Sequence, residues 1–200
     1  MFLQGTRMLI LASSSPRRQE LIRTFQLPIR IEVSHVDEDY APLSAPADIV
    51  ESLALRKALA VAEKLKAQSL DGIVIGSDTI VVYQNQILNK PIDEADAIRM
   101  LSMLQGQTHQ VFSGVACIDL KSEKQSIQHR MTEVTMRNLS IEQICRYIAS
   151  GESSDKAGAY GIQGIGATLV DSIQGCYFNV VGLPLSLLSE MLKELDVDVI

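Results

Sequence analysis

The chain has 200 residues, 46% of them aliphatic, aromatic or Cys and 21% charged. That is the composition of an ordinary globular protein, and it excludes disordered and collagen-like classes. Eighteen Lys and Arg against 24 Asp and Glu give a net charge of -6, so no global positive field is available to hold a polyanion such as DNA, and a nucleotide has to be met by a local cluster of cations. The length predicts one domain spanning 1–200, or one fold of two close lobes.

The run MLILA before SSSPRR is too short for a signal-peptide core, and no stretch reaches the length of a membrane helix. Cys117, Cys145 and Cys176 are odd in number and far apart. This fits neither a disulfide framework nor a Cys-x-x-Cys motif, and reads as buried thiols in a reducing cytosol. The expected location is the cytoplasm, with no membrane and no nucleic-acid polymer as partner.

In chain order, MLILAS (8–13) is a buried-strand candidate, and Ser15 with Pro16 opens a helix carrying Leu21, Ile22 and Phe25 on its apolar stripe. IRIEVS (29–34) alternates as a strand does. From Ala47 to Gln68 an alanine-rich segment keeps a helical period through Val50, Leu53, Ala54, Val61 and Leu65. GIVIGSDTIVVY (72–83) is β-branched and reads as a strand broken at Gly76 and Asp78. Asp93 caps a helix to about Leu104, with Gly106 beyond its end. GVACIDL (114–120) and the Met131–Met136 region are strands joined by KSEKQ. Ser140 and Gln143 form a capping box for a short helix closed by Gly151. KAGAYGIQGIG is a loop, ATLVDSI and CYFNVV are strand candidates, and Pro184 opens a last amphipathic helix through Leu195. The fold class predicted is α/β, with a mixed twisted sheet and flanking helices and no internal repeat or linker.

Two constellations carry chemistry. SSSPRR places Ser15, Arg17 and Arg18 at a strand-to-helix junction, where exposed N–H groups and two guanidiniums suit phosphate oxygens. Cations at a helix start oppose the macrodipole, a conflict that a bound anion resolves; the alternative is a capped helix with solvated arginines. Asp78, inside an apolar strand run, must reach water, a cation or a metal, because an unpaired buried carboxylate costs several kcal/mol; the alternative is an ordinary turn aspartate. Glu38 and Glu32 are further acidic candidates. Lys57, Lys90 and Lys156 lie in apolar or Gly-rich settings and individually decide nothing.

The glycines Gly158, Gly161, Gly164 and Gly166 let a backbone approach a ligand closely, but they form neither G-x-G-x-x-G nor G-x-x-x-x-G-K-[ST]. His35, His109 and His129 have no zinc-site spacing, and no G-x-S-x-G elbow occurs.

The blocks LASSSPRRQELI (11–22), VDE (36–38), LRKA (55–58), IGSDTIV (75–81), KP (90–91), GQTHQVFSGVA (106–116), KAGAYGIQG (156–164) and NVVGLPL (179–185) occur in this order. Together they resemble the Maf family, the septum-formation-type nucleoside triphosphate pyrophosphatases, and the KAGAYGIQG form resembles the branch acting on dTTP and UTP. The resemblance implies hydrolysis of a nucleoside triphosphate to the monophosphate and pyrophosphate, in a nucleotide-binding cleft between two lobes, with Mg²⁺ or Mn²⁺. It implies Asp78 as proton acceptor or metal ligand and Glu38 as a second metal ligand. It implies Ser15, Arg17, Arg18, Lys57, Lys90 and Lys156 as substrate-binding residues, Arg17, Thr79 and Gln163 as specificity positions, and a homodimer. Two other readings remain open on the sequence: a nucleotide-binding regulator of cell division, and a pyrophosphatase for a purine or modified nucleotide.

Overall fold

The computed structural model describes residues 7–41, 44–66, 68 and 70–200. The first strand, β1 (Leu9–Leu11), is wholly buried. It pairs in parallel with β2 (Ile29–Ile31) on one side and β3 (Ile73–Tyr83) on the other, Leu9 facing Ile29 and Ile73. A strand covered on both faces reads as a continuous apolar run, which is why LIL shows no alternation. Between β1 and β2 lies α1 (Pro16–Arg23), with Pro16 at its start, where a missing N–H costs nothing.

The long helix α2 (Pro46–Lys66) buries Val50, Leu53, Ala54, Lys57, Ala58, Val61 and Leu65 along one stripe. Two glycines let it lie close to the sheet. A Cβ at Gly76 of β3 would stand 2.1 Å from the Ala54 carbonyl oxygen, and one at Gly114 would stand 2.2 Å from that of Val50. The strand break expected at Gly76 and Asp78 is therefore absent: β3 runs uninterrupted for 11 residues. Gly76 is there to admit a helix backbone and leaves the ladder intact.

The chain continues through β4 (Gln86–Leu88), antiparallel to β3, and α3 (Glu94–Leu104), capped by Asp93, whose carboxylate accepts the Asp96 N–H at 2.8 Å. Next come β5 (Thr108–Asp119), β6 (Gln125–Met136) and α4 (Ile141–Ala149) with its capping box complete. After the glycine-rich loop, β7 (Val170–Gln174) pairs antiparallel with β6. The last helices are α5 (Tyr177–Val181) and α6 (Leu185–Lys193). Among the described residues the sheet has seven strands in the order β2-β1-β3-β5-β6-β7, with β4 on β3. The fold is mixed α/β, as the interleaving of elements predicts.

CYFNVV was expected as a strand and is the helix α5. Gly175 (φ +134) and Gly182 (φ +119) bracket it with backbone that favours glycine. At its centre the buried Asn179 amide donates to the Val111 carbonyl at 2.9 Å and to Thr132 Oγ1 at 3.0 Å. These tertiary bonds override the β propensity of Tyr, Phe and Val. The cysteines also depart from expectation, since Cys117 is buried but Cys145 is exposed and Cys176 half-buried.

The chain divides into two compact units. The first comprises the chain up to Asp78, Ser113–Arg130 and Gly182–Ile200; the second comprises Thr79–Phe112 and Met131–Val181. The core of the first includes Ile10, Ala54, Val61, Leu65, Val74 and Ile118. That of the second includes Leu101, Leu104, Val134, Met136, Ile144 and Tyr160.

Candidate active site

In the first unit, the buried face of α2 at mid-helix and the middle of β3 bring Lys57 and Asp78 together. Lys57 Nζ lies 2.6 Å from Asp78 Oδ1 and 2.6 Å from Glu38 Oε1. Both the Lys57 and Asp78 side chains are 10% exposed, whereas Glu38 is half exposed. Burial of two charges is tolerated because they are paired, and the pair cannot be split without leaving one charge stranded. A single ammonium thus gathers two carboxylates that are 40 residues apart in sequence.

The loop that carries Glu38 is held by a residue the sequence did not single out. Arg56, beside Lys57 on α2, donates from Nη1 to the Asp37 carbonyl at 3.0 Å and from Nη2 to the Asp39 carbonyl at 2.5 Å. One planar guanidinium fork thereby grips the backbone on both sides of Glu38. The alternative acidic candidate, Glu32, lies elsewhere, paired with Arg30 and Lys64.

At the start of α1, Ser15 makes no side-chain capping bond and no acidic residue occupies the first turn. Arg18 folds inward: Nε donates to the Gly182 carbonyl at 2.8 Å and Nη1 to the Ser77 carbonyl at 2.9 Å. Ser77 Oγ also donates to the Gly182 carbonyl, at 3.0 Å. Burial lowers the Arg18 pKa from the usual arginine value; the charges of Asp78 and Glu38 act to raise it, and that of Arg17 to lower it. Arg17, Arg18, Glu38 and Asp78 therefore share one electrostatic neighbourhood. Ser77 and Gly182 were missed as partners; the only sequence signal was that each lies inside a block carrying the resemblance.

The remaining candidates belong to the second unit. Thr79 follows Asp78 on β3, so the alternation of a strand turns its side chain to the other face. Lys90 is exposed. Lys156 donates to the Glu152 carbonyl and pairs with Asp155 at 2.7 Å, and its stem lies against Gly161. Gln163 sits at the cap position of a 3-10 helix, Gly164–Leu169, without capping it. Among the described residues no group of three or more His, Cys, Asp or Glu side chains converges, and no helix is long and apolar enough to cross a membrane.

Residues 8–195 match the Maf-like protein family. The chain belongs to that family. The Maf-like chain is 46% identical over 194 residues to the dTTP/UTP pyrophosphatase of Desulforamulus reducens, covering 97% of this chain and 100% of that relative. It is 50% identical over 193 residues to the dTTP/UTP pyrophosphatase of Bacillus cereus, covering 96% and 98%. Among solved structures, the Staphylococcus aureus Ham1 protein matches with a TM-score of 0.51 at 13% identity, over 82% of this chain and 80% of that one. At that identity the likeness is one of fold.

Proposed function

We propose that this Maf-like protein is a nucleoside triphosphate pyrophosphatase that hydrolyses dTTP and UTP to the monophosphate and pyrophosphate, removing excess or unwanted pyrimidine nucleotides in the cytoplasm. The observation that carries the reading is the buried Asp78–Lys57 pair with Glu38 on the same ammonium. A folding core gains little from such a pair, because desolvation of two charges offsets their attraction; a catalytic centre needs it. The names of the two pyrophosphatase relatives support the substrate.

Attack on the α-phosphorus requires an activated water, neutralisation of a polyanion and departure of pyrophosphate. Asp78 is the carboxylate placed to accept the proton of the attacking water, and Lys57 shields it from the incoming negative charge. Arg17, Arg18 and the open start of α1 at Ser15 supply donors for phosphate oxygens. Lys90 and Lys156 are further cations that we assign to triphosphate binding. Two carboxylates with phosphate oxygens are a donor set that suits Mg²⁺, which binds through one or two carboxylates and keeps several waters. Glu38 and Asp78 would hold that Mg²⁺, or Mn²⁺ in its place, and the ion would supply charge neutralisation and lower the pKa of a bound water.

For the base, Arg17, Thr79 and Gln163 are the assigned specificity positions. Uracil and thymine present two carbonyl acceptors around one N–H, which a carboxamide can match by donating to a carbonyl and accepting from the N–H. Cytosine inverts this at two positions, and each mismatch left buried costs about 1 to 3 kcal/mol. The active unit is assigned as a homodimer. The test is pyrophosphate release from a panel of triphosphates: turnover is expected on dTTP and UTP well above CTP and the purines. Binding without turnover would replace the enzyme by a nucleotide-binding regulator, and preference for a purine would replace the substrate.

A further inference from the structure

The glycine-rich loop invites a reading as a phosphate cradle, yet the amide N–H groups of Gly158, Ala159, Gly161, Ile165 and Gly166 are already occupied within the protein. Glu152, in the turn that follows α4, accepts the Ile165 N–H on Oε1 at 3.0 Å and the Gly166 N–H on Oε2 at 3.1 Å. These are orphan donors of the first turn of the Gly164–Leu169 helix, of the kind a cap residue ordinarily satisfies with its own side chain. That cap residue is Gln163, and its carboxamide makes no capping bond. The backbone between them is built for the arrangement. Gly164 has φ +64, and a Cβ there would stand 2.5 Å from Glu152 Oε1. Tyr147 Oη accepts the Gly161 N–H at 3.1 Å, and a Cβ at Gly166 would stand 2.1 Å from the Gly161 carbonyl oxygen.

We propose that Glu152 is a positioning residue for substrate selection: by capping the helix in place of Gln163, it fixes the loop and leaves the Gln163 carboxamide available to the pyrimidine edge. The inference rests on the base-reading role assigned to Gln163 above. Because the two amides go to separate carboxylate oxygens, a carboxamide cannot replace the carboxylate; its NH₂ would face one of the N–H donors. Glu152→Gln is therefore a near-isosteric test that keeps the side chain's volume.

The ratio of kcat/KM for UTP over CTP is measured in wild type, Glu152→Gln, Gln163→Ala and the double variant, together with amide hydrogen exchange at Ile165 and Gly166. Glu152→Gln should lower the ratio on the order of three- to tenfold, the scale of a lost cap. It should add nothing further in the Gln163→Ala background, and should speed exchange at both amides, which Gln163→Ala should not do. A ratio that falls in Gln163→Ala but not in Glu152→Gln removes Glu152 alone, as do additive effects in the double variant or unchanged amide exchange. An unchanged ratio in Gln163→Ala removes the Gln163 reading itself and this inference with it.

Discussion

At the scale of single residues, the two cations Arg18 and Lys90 should fail differently when truncated. Arg18 is tied to the Ser77 and Gly182 carbonyls, whereas Lys90 is exposed. Each Ala variant should lose charge-assisted bonds worth about 1.5 to 3 kcal/mol, hence at least about tenfold in catalytic efficiency on every triphosphate. Thermal melts should show Arg18→Ala destabilised and Lys90→Ala unchanged; a loss confined to one base would make either a reader of the base. Asp78→Asn preserves shape while removing the carboxylate proposed as proton acceptor, so turnover should fall by on the order of 10² to 10⁴, roughly 3 to 5.5 kcal/mol of barrier. Activity retained within a few-fold would withdraw Asp78 from the chemistry. Lys57→Ala strands a buried carboxylate and should cost about 3 to 5 kcal/mol of stability in urea titrations as well as activity.

At the scale of elements, the helix starts were legible because caps are local: Pro16, Asp93 and the Ser140–Gln143 box stand where the sequence predicts them. What escaped was set by distant contacts. Nothing near Gly76 says that Ala54 packs on it, so from sequence a strand glycine reads as a break. Nothing in CYFNVV says that Asn179 bonds to Val111 and Thr132. The site was legible in part for the same reason. Asp78 stood out as a carboxylate in an apolar run, but Arg56 and Glu152 act through backbone carbonyls and amides, which leave no pattern in the sequence. Gly76→Ala should displace α2 and with it Lys57. It should lose about 1 to 3 kcal/mol of stability and more than tenfold in turnover. A melt and activity like wild type would contradict the close helix–strand approach.

At the scale of the whole molecule, stability towards acid should depend on a group outside the chemistry. His109 is buried in the second unit, with Nε2 2.6 Å from Tyr160 Oη and Nδ1 unpartnered among the described residues. Burial pushes its pKa down to about 4. The unfolded chain, with an ordinary histidine near 6.5, binds the proton first. Stability is therefore fully present above about pH 6.5 and is lost as pH falls towards 4, by up to about 3 kcal/mol. Urea midpoints across this range should fall more steeply in wild type than in His109→Gln, and parallel curves would contradict a buried neutral imidazole.

The central claim is that the Asp78 centre directs water to the α-phosphorus of a pyrimidine triphosphate. Hydrolysis of UTP in ¹⁸O-labelled water, followed by phosphorus NMR of the products, tests it most directly. The label should appear in UMP, with unlabelled pyrophosphate released, and the reaction should fail in Asp78→Asn. Label in the pyrophosphate, or UDP and inorganic phosphate as products, would contradict the account.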